Sequence, residues 1–396
     1  MSRSLENLEQ FAIDVILERR HGSRATLLRW ILHALSFLYQ GLVQLRLFLY
    51  RHRIIRERTL GCLVISIGNL TVGGTGKTPI VEKIARALQT GGRRVAILSR
   101  GYKSVPRPVA RKFWQRFRRK NPALPRIVSD GKSLLLDSLT AGDEPYMLAN
   151  NLADVIVLVD KDRVKSGLFA IGEMKADTLL LDDGLQYLHL KHRLDIVLID
   201  RQAPFGNEYL LPRGTLREPP GNLKRASYIF ITKSTGESNQ ELVDRIRRYN
   251  RTAEVIECSH KPLHLQNVFT GEQLPLERLR DTYIGALSGI AAPESFEGGL
   301  IRLGARIELA KRYTDHHRYS EAELQSFINR CIRRDLEMIV TTEKDAVRFP
   351  RLLKPEVPIF FLRVEIEILS GHESWDHFVA RICQPQPMLS PERFFA

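Results

Sequence analysis

Residues 62–79 read Cys-Leu-Val-Ile-Ser-Ile-Gly-Asn-Leu-Thr-Val-Gly-Gly-Thr-Gly-Lys-Thr-Pro, an apolar run that enters a glycine-rich turn and then Gly76-Lys77-Thr78. The chemistry such a string serves is phosphate binding. Backbone N–H groups of the turn close around phosphate oxygens, and the N-terminus of the next helix adds the positive end of its dipole. Lys77 brings a point charge, and the Thr78 hydroxyl can ligate Mg2+. Thr71, Val72, Gly73, Gly74, Thr75, Gly76, Lys77 and Thr78 are therefore the expected nucleotide cradle. Thr71 stands where the pattern G-x-x-x-x-G-K-[ST] has its first glycine. Pro79 suits the opening of a helix, where its missing N–H costs nothing.

Two further groups carry acids. Leu179–Leu181 runs into Asp182-Asp183-Gly184, and an acid at a strand end is where P-loop enzymes hold Mg2+. Adjacent strand-end carboxylates point to opposite sides, so one of the two faces the metal directly. A plain Asp-Asp-Gly turn accounts for the same residues, and Asp160 and Asp200 are rival strand-end acids. Asp143 and Glu144 precede Pro145. On the residues alone they read first as a cap and an acidic first helical turn. Asp315-His316-His317 could be a metal site, a catalytic base or a polar loop, and Ser320-x-x-Glu323 reads as a capping box opening the next helix. Thr342-x-x-Asp345 looks like another cap. It is not a guanine-reading motif, because the lysine is displaced to Lys344.

The elements that must position these residues alternate. Short apolar runs at Leu63–Ile67, Val95–Leu98, Val155–Val159, Leu179–Leu181, Ile196–Ile199, Tyr228–Ile231, Tyr283–Leu287, Met338–Val340 and Ile359–Leu362 are separated in several places by helical patterns such as Pro79–Leu88. Continuous rather than alternating apolar strands belong to a parallel sheet covered on both faces, hence an α/β layered fold. The apolar runs thin out over Asn250–Pro262, which marks a boundary. At 396 residues, 43% hydrophobic and 27% charged, the chain can bury a full core, and a disordered or fibrous protein is excluded. Four scattered cysteines form no C-x-x-C pair, so neither a zinc site nor a disulfide framework is expected.

The formal charge of +15 is concentrated near the N-terminus. Arg100 to Lys132 holds eleven Lys/Arg against Asp130 alone, and residues 1–58 hold ten Arg against five acids. Such a face expects an anionic partner. Within Leu27–Tyr50, Arg29, His33, Ser36, Gln40 and Gln44 fall three or four apart and form one polar stripe on an apolar helix, followed by Arg46, Arg51, Arg53, Arg56 and Arg58. The uncharged run Trp30–Leu45 is sixteen residues, shorter than the roughly twenty a spanning helix wants. The helix starts too late for a signal peptide. It reads as an interfacial helix on an anionic surface, ahead of a core helix, with a membrane span the weakest option.

Taken as a set and in order, G-N-L-T-V-G-G-T-G-K-T-P (68–79), S-R-G-Y (99–102), V-S-D-G (128–131), A-G-D-E-P (141–145), L-D-D-G-x-Q (181–186), L-L-P-R-G-x-L-R-E-P (210–219), D-H-H-x-Y-S (315–320) and T-T-E-K-D-A (341–346) resemble the tetraacyldisaccharide 4′-kinases of lipid A biosynthesis. The resemblance implies phosphoryl transfer from Mg·ATP to the 4′-hydroxyl of a tetraacylated glucosamine disaccharide 1-phosphate. It also implies the roles. Lys77 and Thr78 hold phosphates and metal, Asp182 and Asp183 serve Mg2+, Asp143 is the base and His316 its pair. Glu144, Arg100, Tyr102 and Arg217 match further site positions. The expected organisation is an interfacial segment 1–58, a P-loop kinase domain 59–255 and a smaller α/β domain 256–396, whose last helix could pack back on the kinase domain. The expected location is peripheral, at the cytoplasmic face of the bacterial inner membrane. A P-loop ATPase acting on nucleic acid is the competing reading of the basic stretch, and no nucleic-acid module supports it. A regulatory GTPase lacks a guanine motif.

Overall fold

A computed structural model describes residues 11–101, 124–350 and 355–384. Strands β1 (Leu63–Asn69), β2 (Val95–Ser99), β3 (Arg126–Asp130), β4 (Ile156–Val159), β5 (Thr178–Asp182), β6 (Leu194–Asp200), β7 (Tyr228–Thr232), β8 (Glu254–Asn267), β9 (Gln273–Leu274), β10 (Tyr283–Ser288), β11 (Arg306–Arg312), β12 (Met338–Thr342) and β13 (Ile359–Ser370) join one sheet. Its order is β11-β10-β12-β13-β8-β7-β6-β1-β5-β2-β4-β3, with β9 on β8. The helices are α1 (Ser23–Arg51), α2 (Lys77–Thr90), α3 (Ser138–Ala141), α4 (Asp143–Asn151), α5 (Arg163–Gly172), α6 (Gln240–Tyr249), α7 (Pro293–Arg302), α8 (Glu321–Ile332), α9 (Glu343–Ala346) and α10 (His372–Cys383).

Pairing is parallel from β8 through β7, β6, β1, β5 and β2 to β4, and again from β11 to β13. The apolar runs dictate this. Successive side chains of a strand point to opposite faces, so Ile196 and Leu198 join a core with Ile80, Ile84 and Leu88 of α2. Val197 and Ile199 instead join Ile246 of α6. Each fully buried Ile or Leu contributes about 1.5–3 kcal/mol. Phe378 and Ile382 of α10 share the core cluster of α2.

The two parallel runs are stitched by β8 and β13, paired antiparallel from Asn267↔Phe360 to Glu257↔Ser370. The division expected at 255/256 falls inside β8. That strand alternates buried and half-exposed positions, the signature of a ribbon with one face covered, so it lacks the continuous apolar run that marks its parallel neighbours.

α1 turns its polar stripe inward. Ser36 is buried, the Tyr39 hydroxyl donates to the Arg217 carbonyl at 3.0 Å, and Arg46 donates to the Gln186 carbonyl at 3.1 Å. Leu27, Trp30, Phe37, Leu38 and Leu42 face outward, each between 57% and 69% exposed. This is the reverse of a water-facing helix on a soluble domain, which buries its apolar side.

Candidate active site

The carboxyl ends of β1, β2 and β5 meet at one edge of the sheet, where open α/β sheets bind ligands. α2 begins at Lys77, two residues before Pro79; proline is still harmless there because first-turn N–H groups have no helical partner. Gly76 precedes it with φ +78°, and a Cβ there would lie 2.9 Å from the His260 ring, so only glycine fits. Thr71 keeps its side chain because Asn69 uses it. The Asn69 amide donates to the Thr71 carbonyl at 2.7 Å and to its hydroxyl at 3.3 Å, while the Asn69 oxygen accepts from Lys77 Nζ at 3.2 Å. Thr75 is buried, and its carbonyl accepts from the Thr232 hydroxyl at 2.9 Å.

Lys77 Nζ lies 3.0 Å from Asp183, and Arg217 Nη1 lies 2.9 Å from both Asp183 oxygens. Arg217 arrives through backbone pairing alongside the cradle: Val72 N donates to Thr215 O at 2.7 Å and Arg217 N to Leu70 O at 2.6 Å. The adjacent acids differ sharply. Burial pushes the Asp182 carboxyl up to about 6, with Glu144 adding to the rise and Lys77 opposing it. Against its own burial, Lys77 and Arg217 hold Asp183 at about 2. Asp182 accepts from the Ser99 hydroxyl at 2.9 Å. Asp183 turns away with φ +54°, a conformation Asp tolerates better than most residues. The rival acids are spoken for, Asp160 by Lys165 and Asp200 by Lys233.

A second cluster is built across the sheet seam. Asp143 opens α4 after Gly142, but its side chain caps nothing. Oδ2 accepts from Arg348 Nε at 2.8 Å and faces His316 Nδ1 at 3.2 Å, while Oδ1 accepts from Arg318 Nη2 at 3.0 Å. His316 follows β11 with φ +65°, its backbone N–H bonded to the Gly289 carbonyl at 3.2 Å. Lys344 Nζ sits 3.4 Å from His316 Nε2 and 3.5 Å from Glu144. Donors that cannot accept face both ring nitrogens, Lys344 Nζ at Nε2 and Arg348 Nη2 at Nδ1 (3.2 Å), but only Nδ1 also has a carboxylate in bonding reach, so the ring proton is assigned to Nδ1, toward Asp143. Against burial, that bond and the Arg348 and Arg318 guanidiniums hold Asp143 below the usual carboxylate range. The Ser320–Glu323 capping box and the Thr342 cap both form.

Arg100 follows β2 at the surface, close enough to bear on the charge of Arg163. Tyr102 and most of the basic stretch lie outside the described residues. Asn69, Ser99, Arg163, Arg318, Lys344 and Arg348 were not singled out from sequence. Arg163 is buried and donates to the Asp182 carbonyl at 3.0 Å. Among the described residues, no group of three or more His, Cys, Asp or Glu gathers around a metal position. Mg2+ needs none, since one or two carboxylates, a hydroxyl and substrate phosphates suffice, and Thr78, Asp182 and Asp183 fit that donor set.

The sheet, the cradle after β1 and the strand-end carboxylates define a P-loop phosphotransferase. The chain belongs to the tetraacyldisaccharide-1-P 4′-kinase family, whose model matches residues 28–384. It is 38% identical to a tetraacyldisaccharide 4′-kinase of Syntrophus aciditrophicus over 88% of this chain and 91% of that one. It is 32% identical to one from Halothermothrix orenii over 92% and 95%. Among solved structures it resembles the apo form of LpxK from Aquifex aeolicus in complex with ATP. The TM-score is 0.69 at 29% identity, covering 90% of this chain and 99% of that one.

Proposed function

We infer that this chain transfers the γ-phosphoryl group of ATP to the 4′-hydroxyl of a tetraacylated glucosamine disaccharide 1-phosphate, a step of lipid A biosynthesis. Beyond family membership, the observation that carries the mechanism is the meeting of Asp143 and His316 at 3.2 Å, although 173 positions separate them. Phosphoryl transfer needs positioning and charge neutralisation more than covalent chemistry. Residues 71–78 cradle the phosphates, and Lys77 and Arg217 leave Asp183 to meet them when the nucleotide enters. Mg2+, held by Thr78, Asp182 and Asp183, would neutralise phosphate charge. Asp143 takes the hydroxyl proton, His316 orients it through Nδ1–H, and Glu144 and Arg100 flank the acceptor; Tyr102, outside the described residues, is assigned to substrate binding from the family motif alone. Arg318, 37% exposed at its side chain and otherwise held, among the described residues, only by the Ser138 carbonyl at 3.2 Å, is the partner that can swing off Oδ1. Its departure restores basicity to a carboxylate otherwise held strongly ionised.

The acylated part of the substrate is assigned to a cavity of about 780 Å3 between α1 and residues 222–225, where Leu45, Leu47 and Phe48 meet Arg51, Lys224 and Arg225. The outward apolar face of α1 and its trailing arginines support peripheral attachment to an anionic membrane surface, at the cytoplasmic face of the inner membrane. α1 is long and apolar enough to cross a bilayer, but its bonds to the protein body favour lying along the surface. A double-mutant cycle on kcat tests the dyad. Asp143→Asn and His316→Ala should each cost about 10²–10⁴-fold, and the pair little more than either. Additive losses with normal ATP affinity would remove the dyad and leave Glu144 as the base to test.

A further inference from the structure

The Arg348 side chain is 0% exposed, and the proposed reaction does not yet use it. Its Nη1 donates to the Gly289 carbonyl at 3.1 Å and to Asp345 at 3.2 Å. Asp345, itself 0% exposed, is held in turn by the Gly289 N–H at 3.1 Å, the Tyr319 hydroxyl at 3.1 Å and the Thr342 hydroxyl at 2.6 Å. Gly289 has no room for a side chain, since a Cβ would stand 2.9 Å from the Tyr319 oxygen. This anchored guanidinium reaches across the seam and places Nε 2.8 Å from Asp143 Oδ2. Two groups, Arg348 Nε at 2.8 Å and His316 Nδ1 at 3.2 Å, therefore meet at Oδ2, and Arg348 Nη2 stands 3.2 Å from the same Nδ1, tying the two side chains together. Among the described residues Oδ1 accepts from Arg318, whose side chain is partly open to solvent.

We propose that Arg348 is a positioning residue for phosphoryl transfer: with His316 it holds Oδ2 of Asp143, fixes the carboxylate plane, and leaves Oδ1 as the oxygen that takes the acceptor's proton. The O–H bond of the acceptor hydroxyl breaks, its proton goes to Oδ1, and its oxygen bonds the γ-phosphorus as ADP leaves. The charged groups that face Asp143 are His316, Arg318 and Arg348 from beyond the seam, with Glu144 beside it on α4 and Lys344 across from Glu144. The proposal rests on Asp143 being the base, and the experiment separates the two.

Steady-state kinetics of the full chain in detergent, with the acylated disaccharide 1-phosphate and Mg·ATP, are compared for Arg348→Gln, Arg348→Lys and Asp143→Asn. Misplacing a reacting group by about 1 Å costs about 10²-fold, so Arg348→Gln should lose about 10²-fold in kcat while KM for ATP stays within about twofold. The acid limb of its kcat–pH profile should move up, because a cation beside Asp143 is gone. Arg348→Lys keeps the charge but cannot hold Asp143 and the Gly289 anchor together, so it should recover kcat only in part, with the acid limb near its original place. If Arg348→Gln does not fold, the Arg348→Lys loss in kcat at unchanged KM carries the test. Normal kcat in both Arg348 variants, with Asp143→Asn inactive, overturns the proposal alone. A fully active Asp143→Asn overturns the base assignment and the proposal with it.

Discussion

Replacing Arg363 by Met should destabilise the protein far more at alkaline than at mildly acidic pH. Arg363 lies on β13 with its side chain 9% exposed, between Glu82 of the cradle helix α2 and Glu343 at the start of α9. Its Nη1 meets the two Glu343 oxygens at 2.9 and 2.8 Å, its Nη2 bonds Glu82, and Asn151 bridges the carboxylates at 3.2 and 2.6 Å. Removing one partner of a buried ion pair costs about 3–5 kcal/mol, because the group left behind is charged and desolvated. Here Glu343 is left without a guanidinium and facing Glu82, which keeps Arg86 at 2.8 Å. Burial already raises Glu343, with Arg363 as the main opposing influence, so without the guanidinium it must rise further. A folded-state carboxyl raised above its unfolded value contributes stability that is complete below the unfolded pKa and lost as pH rises through the folded one. The deficit of Arg363→Met should therefore be about 3–5 kcal/mol near pH 8 and shrink toward about pH 5. Urea unfolding of both proteins across that range reads it directly. A pH-independent loss below about 1 kcal/mol, the scale of a surface pair, would refute the reasoning.

Lys77→Ala should nearly abolish transfer while the urea midpoint barely moves, since Lys77 is assigned to a phosphate cradle; unchanged turnover of the folded variant would remove that assignment. Thr78→Ala should in addition raise the Mg2+ concentration needed for half-maximal rate, read by titrating Mg2+ at fixed ATP. Placing glutamates at Trp30, Leu38 and Leu42 should release the protein from vesicles containing anionic lipid in a flotation assay without changing its melting curve. Equal flotation would assign attachment elsewhere.

Much of the architecture was legible because its signals are local. Continuous apolar runs marked nine of the parallel strands, and the cradle was readable because turn, lysine and helix adjoin in sequence. β8 and β11 escaped for the opposite reason. Both alternate or carry charge on half-exposed faces, as E-V-I-E-C and R-I-E-L-A-K-R show, and that pattern does not announce a buried strand. Asp143 and His316 were singled out from the family motifs, whereas the residues alone favoured a helix turn for Asp143 and left His316 open between a metal site, a base and a polar loop. Arg163, Arg348 and Arg363 had no signal. An arginine in sequence is presumed exposed, and only the fold shows which carboxylates and carbonyls bring it inside.

The cradle and the cross-seam carboxylate are assigned to one reaction, transfer to the 4′-oxygen of the acceptor. The most direct measurement incubates the protein and Mg2+ with ATP labelled in its γ-phosphate and a tetraacylated glucosamine disaccharide 1-phosphate in detergent. An otherwise identical acceptor lacking the 4′-hydroxyl serves as control. Label is expected in the lipid fraction with the first acceptor, none with the second, and none with either for Asp143→Asn. ATP consumption without label in the lipid, or equal labelling of the 4′-deoxy acceptor, would contradict it.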